Sequence, residues 1–302
     1  MSSSPSAAHT SFVKVAISCS ARAPDRGMSV SDSDGRAGPQ ALSAPRSPAP
    51  LPPAMAVFEE IRAAVGCLTA FTRPAAGASR PALAGGLAFY PVVGLALGGL
   101  AAGVATATET VLPAAAGPAG VLALVGLAGA RGARGLAAAA EALLRRGDAV
   151  VVLGRLRTTP GPLGIAAAGA ALAARAAAAA ILPPPARTTA LLLAPLLGAW
   201  AVVVECYGGV PTHASGTAAA LVGRARFREF GWASVTALGM TLAVGEPIGL
   251  VIVLAASLAT VGMRVGAYRR LGGLTGRLLA ATRELVETVV LVTLGVLAQL
   301  KT

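Results

Sequence analysis

The sequence predicts an all-α, polytopic integral membrane protein, a helical bundle with about seven transmembrane helices. Three observations carry that prediction. The chain of 302 residues is 55% hydrophobic and 13% charged, and its mean hydropathy of +0.71 lies far above that of a soluble domain. Between Leu87 and Leu300 it reads as a row of apolar segments. Nearly all its arginines fall in every second gap between those segments. Strict apolar–polar alternation, which a membrane barrel needs, is absent.

Residues 1–54 differ from the rest. They are rich in Ser, Pro, Ala and Arg and hold no apolar run long enough to span, so the segment is expected to be disordered. A second reading is that translation starts at Met55. The membrane domain is placed at 55–302. It opens with an amphipathic helix over Ala56–Phe71, whose Phe58, Ile61, Val65 and Leu68 recur at helical spacing.

A spanning helix needs about 20 mostly apolar residues to cross a hydrocarbon layer of roughly 30 Å. Leu87–Thr108, Ala114–Ala130, Pro162–Leu182, Thr189–Tyr207, Gly231–Val244, Pro247–Met263 and Leu285–Leu300 meet or approach that length. Pro91 suits the first turn of its helix, where a missing N–H costs nothing. Gly94, Gly98, Gly99 and Gly103 would let a neighbouring helix approach closely. Small-residue faces of this kind permit association without fixing an oligomeric state.

The gaps set orientation. Arg131, Arg134, Arg145, Arg146, Arg155 and Arg157 lie in the second gap, Arg224, Arg226 and Arg228 in the fourth, and Arg264, Arg269, Arg270, Arg277 and Arg283 in the sixth. The first, third and fifth gaps hold only Arg187. Basic residues are retained in the cytoplasm, so the N-terminus and the even gaps are expected there, in a multi-pass protein of the cytoplasmic (inner) membrane. The net charge of +12 is thereby accounted for by topology, and no nucleic-acid partner is expected. Cys19, Cys67 and Cys206 lack metal-ligand spacing, and neither His9 nor His213 belongs to a cluster, so a zinc site is not expected. Arg175 and Glu205 lie inside spans, where an ionisable group is a functional candidate by default.

Motif-like sequence gathers at the arginine-rich side. Phe89-Tyr-Pro-Val-Val-Gly-Leu-Ala-Leu-Gly-Gly99 opens the first span. Arg134-Gly-Leu-Ala-Ala-Ala-Ala-Glu-Ala-Leu143, Asp148 and Arg157-Thr-Thr-Pro-Gly-Pro-Leu-Gly164 occupy the second gap, and Gly272-Gly-Leu-Thr-Gly-Arg277 the sixth. In order and spacing these pieces resemble the adenosylcobinamide-GDP ribazoletransferases, or cobalamin 5′-phosphate synthases, over most of Met55–Leu300. Leu68-Thr-Ala-Phe71 looks like the family's Leu-Thr-Arg segment, and Pro211–Thr217 loosely resembles a Pro-Tyr-Ala-Arg-x-Glu-Gly loop.

The resemblance implies a membrane glycophosphotransferase of the last steps of cobalamin biosynthesis. Such an enzyme joins the GDP-activated corrinoid to α-ribazole or its 5′-phosphate, releases GMP and uses Mg²⁺. The family's acidic signature falls on Arg134–Ala142, with Arg134, Ala138 and Glu141 at its three Asp positions. A further Asp position holds Arg157, and the Asp that follows the Gly-Gly-x-Thr-Gly turn is replaced by Arg277. After residue 54 the only Asp is Asp148.

Guanidinium groups repel a divalent cation but match phosphate oxygens well. Arg134, Arg157, Thr275 and Arg277 are therefore the expected substrate-binding residues, Glu141 the position left for a metal ligand, and Glu141, Asp148 and Glu284 the candidate acids or bases. Plainer roles stand beside these: arginines contacting lipid headgroups, Glu141 pairing with Arg145 on one helix, and Glu284 and Glu287 favouring a helix N-terminus. A catalytically inactive member that binds corrinoid or a protein partner, and an unrelated small transporter, are the alternative functions.

Overall fold

Helix starts and stops follow the prolines, glycines and capping side chains. The computed structural model describes residues 53–70, 79–213, 216–245 and 248–300. The expectations for residues 1–54 fall almost wholly outside that range. Helix α1 spans Pro53–Leu68, and α2 (Arg80–Gly85) runs through a 3-10 turn at Gly86–Phe89 into α3 (Tyr90–Glu109). A further 3-10 turn leads to α4 (Ala116–Ala128), which bends by 90° into α5 (Arg131–Leu144) at Gly129, whose φ of +74° suits glycine. There follow α6 (Ala149–Arg157), α7 (Pro162–Ile181), α8 (Pro184–Cys206), α9 (Thr217–Leu221), α10 (Phe227–Gly245), α11 (Ile248–Leu271) and α12 (Gly276–Gln299).

Among the described residues there are no strands, only one bridge between Pro211 and Leu274, and the chain is an all-α membrane protein. Prolines open α7 and α8, and Pro91 lies in the first turn of α3. α8 starts five residues before the predicted span.

The seven predicted spans lie on α3, α4, α7, α8, α10, α11 and α12. Among the described residues, length and composition qualify four segments as spans, Arg80–Glu109, Pro162–Ile181, Pro184–Cys206 and Ile248–Leu271, and a fifth if bent α4–α5 counts as one. α12 falls outside because Arg277, Arg283, Glu284 and Glu287 crowd its first half. Leu250, Leu254, Leu258 and Val261 form an exposed stripe along α11, as expected of a helix facing lipid.

α8 is the central post, packed against α3, α12, α10 and α11. Its apolar window is 83% buried, against 22% for α7 and α11. The α3 seam is close because Gly94 lies on the Pro195 carbonyl and Gly98 on the Leu191–Leu192 backbone. Gly99 and Gly103 do not share this face: they turn outward, with Gly103 in open space. Each pair is four residues apart and shares one stripe, but the second pair begins one position after the first ends, about 100° further round the helix. In α1 the predicted stripe is likewise divided. Leu68 is buried and Val65 half-buried, whereas Phe58 and Ile61 are exposed, giving a helix with an apolar outer face suited to the bilayer interface.

The ends of the even gaps meet at one end of the bundle. At the other end of α3, some 30 Å away by helical rise, Glu109 pairs with Arg187 at 3.3 Å.

Candidate functional site

At the arginine-rich end lies a cavity of about 610 Å³. Its walls are the start of α5, the end of α6 with Thr158–Pro160, and the first turns of α12, and its floor includes Tyr90 and Val202. Five arginines line it: Arg131, Arg134, Arg157, Arg277 and Arg283. Glu284 is the one carboxylate among its lining residues.

These arginines differ in how far they are engaged. Arg131 ties α5 to the end of α1, donating to Gly66 O at 3.3 Å and to Thr69 O. Arg134 uses only Nε, on Ala130 O at 3.0 Å. Arg277 directs Nη1 to Leu156 O and, at 2.9 Å, to Thr158 O, a cation placed at the C-terminal dipole of α6. Arg157 is exposed and makes no hydrogen bond or ion pair to a described residue. Arg157 and Arg277 also line a second cavity of about 350 Å³, with Thr275 and His213.

Behind the cavity a buried ionic network joins α7 to α12. Arg175 pairs with Glu284 and, at 3.0 Å, with Glu287. Arg283 pairs with Glu287 at 2.8 Å and donates to Leu68 O at 2.9 Å. Gly132 of α5 lies directly on the Glu284 carboxylate, which a Cβ there would displace. Arg175 therefore turns inward to its partners instead of reaching for the interface.

The other carboxylates predicted from sequence are committed elsewhere. Glu141 projects from α5 to the N-terminus of α7, where Oε2 accepts from the Gly164 amide at 2.8 Å, and it pairs with Arg145 at 3.2 Å. That is capping across two helices, satisfying a donor the α7 ladder leaves open. Asp148 caps α6, accepting from Val151 N at 3.0 Å. Thr275 caps α12 through Leu278 N at 3.3 Å. Neither Glu141 nor Asp148 lines either cavity.

Glu205 is fully buried, and among the described residues neither of its oxygens has a partner in hydrogen-bonding geometry. Cys67 borders the cavity, and burial pushes its thiol up, with Tyr90 and Arg131 acting the other way. Burial of this kind disfavours the thiolate, the reactive form.

Two motif segments far apart in sequence come together. The Gly-Gly-x-Thr-Gly turn and the loop at Pro211 exchange backbone bonds, Thr212 N to Leu274 O at 3.0 Å and Leu274 N to Val210 O at 2.8 Å. Gly272 supplies a φ of +68° there.

The donor set does not fit Mg²⁺. That ion takes hard oxygen ligands, usually one or two carboxylates with phosphates and water. Here guanidinium groups face the cavity, Ala138 is buried within the packing of α5, and Glu284 is paired. Among the described residues no group of three or more His, Cys, Asp or Glu side chains is placed to share an ion.

Sequence reasoning missed Arg131 and Arg283 as lining residues. Arg131 sits three residues before Arg134 on the same helical face, and Arg283 four before Glu287. Both spacings were available signals. A family model described as cobalamin-5-phosphate synthase matches residues 60–295. No solved structure matches the chain.

Proposed function

The chain belongs to the cobalamin-5-phosphate synthase family, a family of the last steps of cobalamin biosynthesis, and on that premise we propose that it transfers a GDP-activated corrinoid phosphate to α-ribazole or its 5′-phosphate. The observation that carries this reading is the placing of Arg134, Arg157 and Arg277, three residues remote in sequence, around one cavity. Bidentate guanidinium donors match the oxygens of a diphosphate. They would stabilise the charge that grows on the departing GMP phosphate as the acceptor hydroxyl oxygen bonds to the corrinoid-side phosphorus and the bond to GMP breaks. The arginine-rich even gaps support a reading in which this cavity opens on the cytoplasmic side of the membrane, within reach of a soluble GDP-activated donor.

The acceptor hydroxyl must lose its proton. Glu284 is the cavity's candidate base, held by Arg175. Glu141 and Asp148 serve as caps.

That commitment of every nearby carboxylate favours a second reading: a member of the family that binds corrinoid nucleotide without turning it over. Growth of a cobinamide-dependent strain lacking its own transferase separates the two. The full chain should restore growth on cobinamide, and Arg157→Gln should abolish it. Absence of growth with the protein present in the membrane would sink the transferase reading, and retention of a corrinoid nucleotide by the purified protein would then establish the binder.

A further inference from the structure

We propose that the 610 Å³ cavity binds a phosphate-bearing anion through guanidinium groups alone, with no divalent cation between protein and phosphate. The proposal deepens the reading of this cavity as the substrate site and rests on it for the diphosphate character of the ligand.

Charge is the first ground. Arg283 is offset by Glu287, and Glu284 by Arg175, so the cavity's two ionic neighbours at the back cancel within the buried network. Arg134, Arg157 and Arg277 have no carboxylate partner among the described residues. Like charges gathered on one concave surface repel, and an anion relieves that repulsion.

Donor geometry is the second. Arg134 has spent only Nε and Arg277 only Nη1 on backbone carbonyls, while Arg157 has spent nothing. Each keeps paired N–H donors of the kind that meet a phosphate two at a time. A cation inserted among them would face three positive groups and no uncommitted carboxylate.

Placement is the third. Arg157 and Arg277 border both the larger and the 350 Å³ cavity. A ligand with a bulky group on each side of a diphosphate would carry its phosphates past this pair.

Inorganic pyrophosphate tests the proposal on the full chain in nanodiscs of phosphatidylcholine, by calorimetry and by the rise in thermal midpoint. Binding should persist in EDTA, and added Mg²⁺ should weaken it or leave it unchanged. Arg157→Gln and Arg134→Gln, two exposed arginines with little or no structural bonding, should each weaken binding about tenfold or more. Arg146→Gln, an exposed arginine outside the cavity lining, should not. Binding that appears only with Mg²⁺, no binding at all, or binding indifferent to both cavity variants would overturn the proposal.

Competition by phosphatidylglycerol in the nanodisc would identify a headgroup phosphate as the natural occupant, and lack of competition a soluble one. Either supports the cation-free site. Failed growth on cobinamide alongside pyrophosphate binding in EDTA would sink the transferase reading alone. Growth alongside strictly Mg²⁺-dependent binding would sink this one alone.

Discussion

Two groups of arginines lie within one end of this molecule and have opposite fates. Arg175 and Arg283 are buried, at 3% and 7% exposure, and each is bound to carboxylates of α12. Arg134, Arg157 and Arg277 are exposed around a cavity and meet at most backbone carbonyls. The residue type is the same, and so is the charge. What separates structure from site is the partner: a buried guanidinium needs a carboxylate to offset its lost hydration, whereas one exposed at a cavity keeps its donors for a ligand.

The largest effect that sharpens this contrast should come from Arg175→Leu. It leaves Glu284 unpaired and takes one of two partners from Glu287, inside the bundle. Breaking a buried pair from one side costs about 3–5 kcal/mol. Denaturation of the detergent-solubilised protein should show that loss, and a negligible change would mean that the network is hydrated and belongs to the cavity. Glu141→Ala should cost less, on the order of 1 kcal/mol for the lost cap of α7. Its growth phenotype should track the residual fold: full stability with complete loss of transfer would make Glu141 a chemical group instead. Arg157→Gln should be the mildest to the fold, within about 0.5 kcal/mol of the parent by the same denaturation, while removing growth on cobinamide. A large loss of stability would show that Arg157 has a structural partner and would erase the distinction between the two groups.

The helical membrane architecture was legible because it rests on composition and on the alternation of arginine-rich gaps, both properties of a one-dimensional string. Pro91 marked an early helical position from the sequence alone. Pairing was not legible. Nothing in the spacing of Arg175, Glu284 and Glu287 says that α7 and α12 lie side by side, so Arg175 read as an isolated charge in a span. Glu141 could be assigned to a helix shared with Arg145, but its reach to the amide of Gly164 depends on how α5 crosses α7. The gathering of Arg134, Arg157 and Arg277 followed from a resemblance between motifs. Arg131 and Arg283 resembled topology charges until the cavity wall was seen. Glycine patterns carried half their meaning: Gly94 and Gly98 reach α8, while Gly99 and Gly103 occupy the adjoining stripe that faces away.

The burial of α8 bears on how the protein meets membranes of different thickness. Hydrophobic mismatch acts on helices in contact with lipid, tilting them or deforming the bilayer around them. In this bundle α7 and α11 are the long spans most open to lipid, while α8 is screened along most of its apolar length. The cavity floor at Val202 belongs to that screened helix, and the α12 wall packs on it. A thinner or thicker bilayer would therefore be absorbed by tilt at the periphery before it moved the arginines, and the spacing between their donors would be insulated from the lipid the cell supplies.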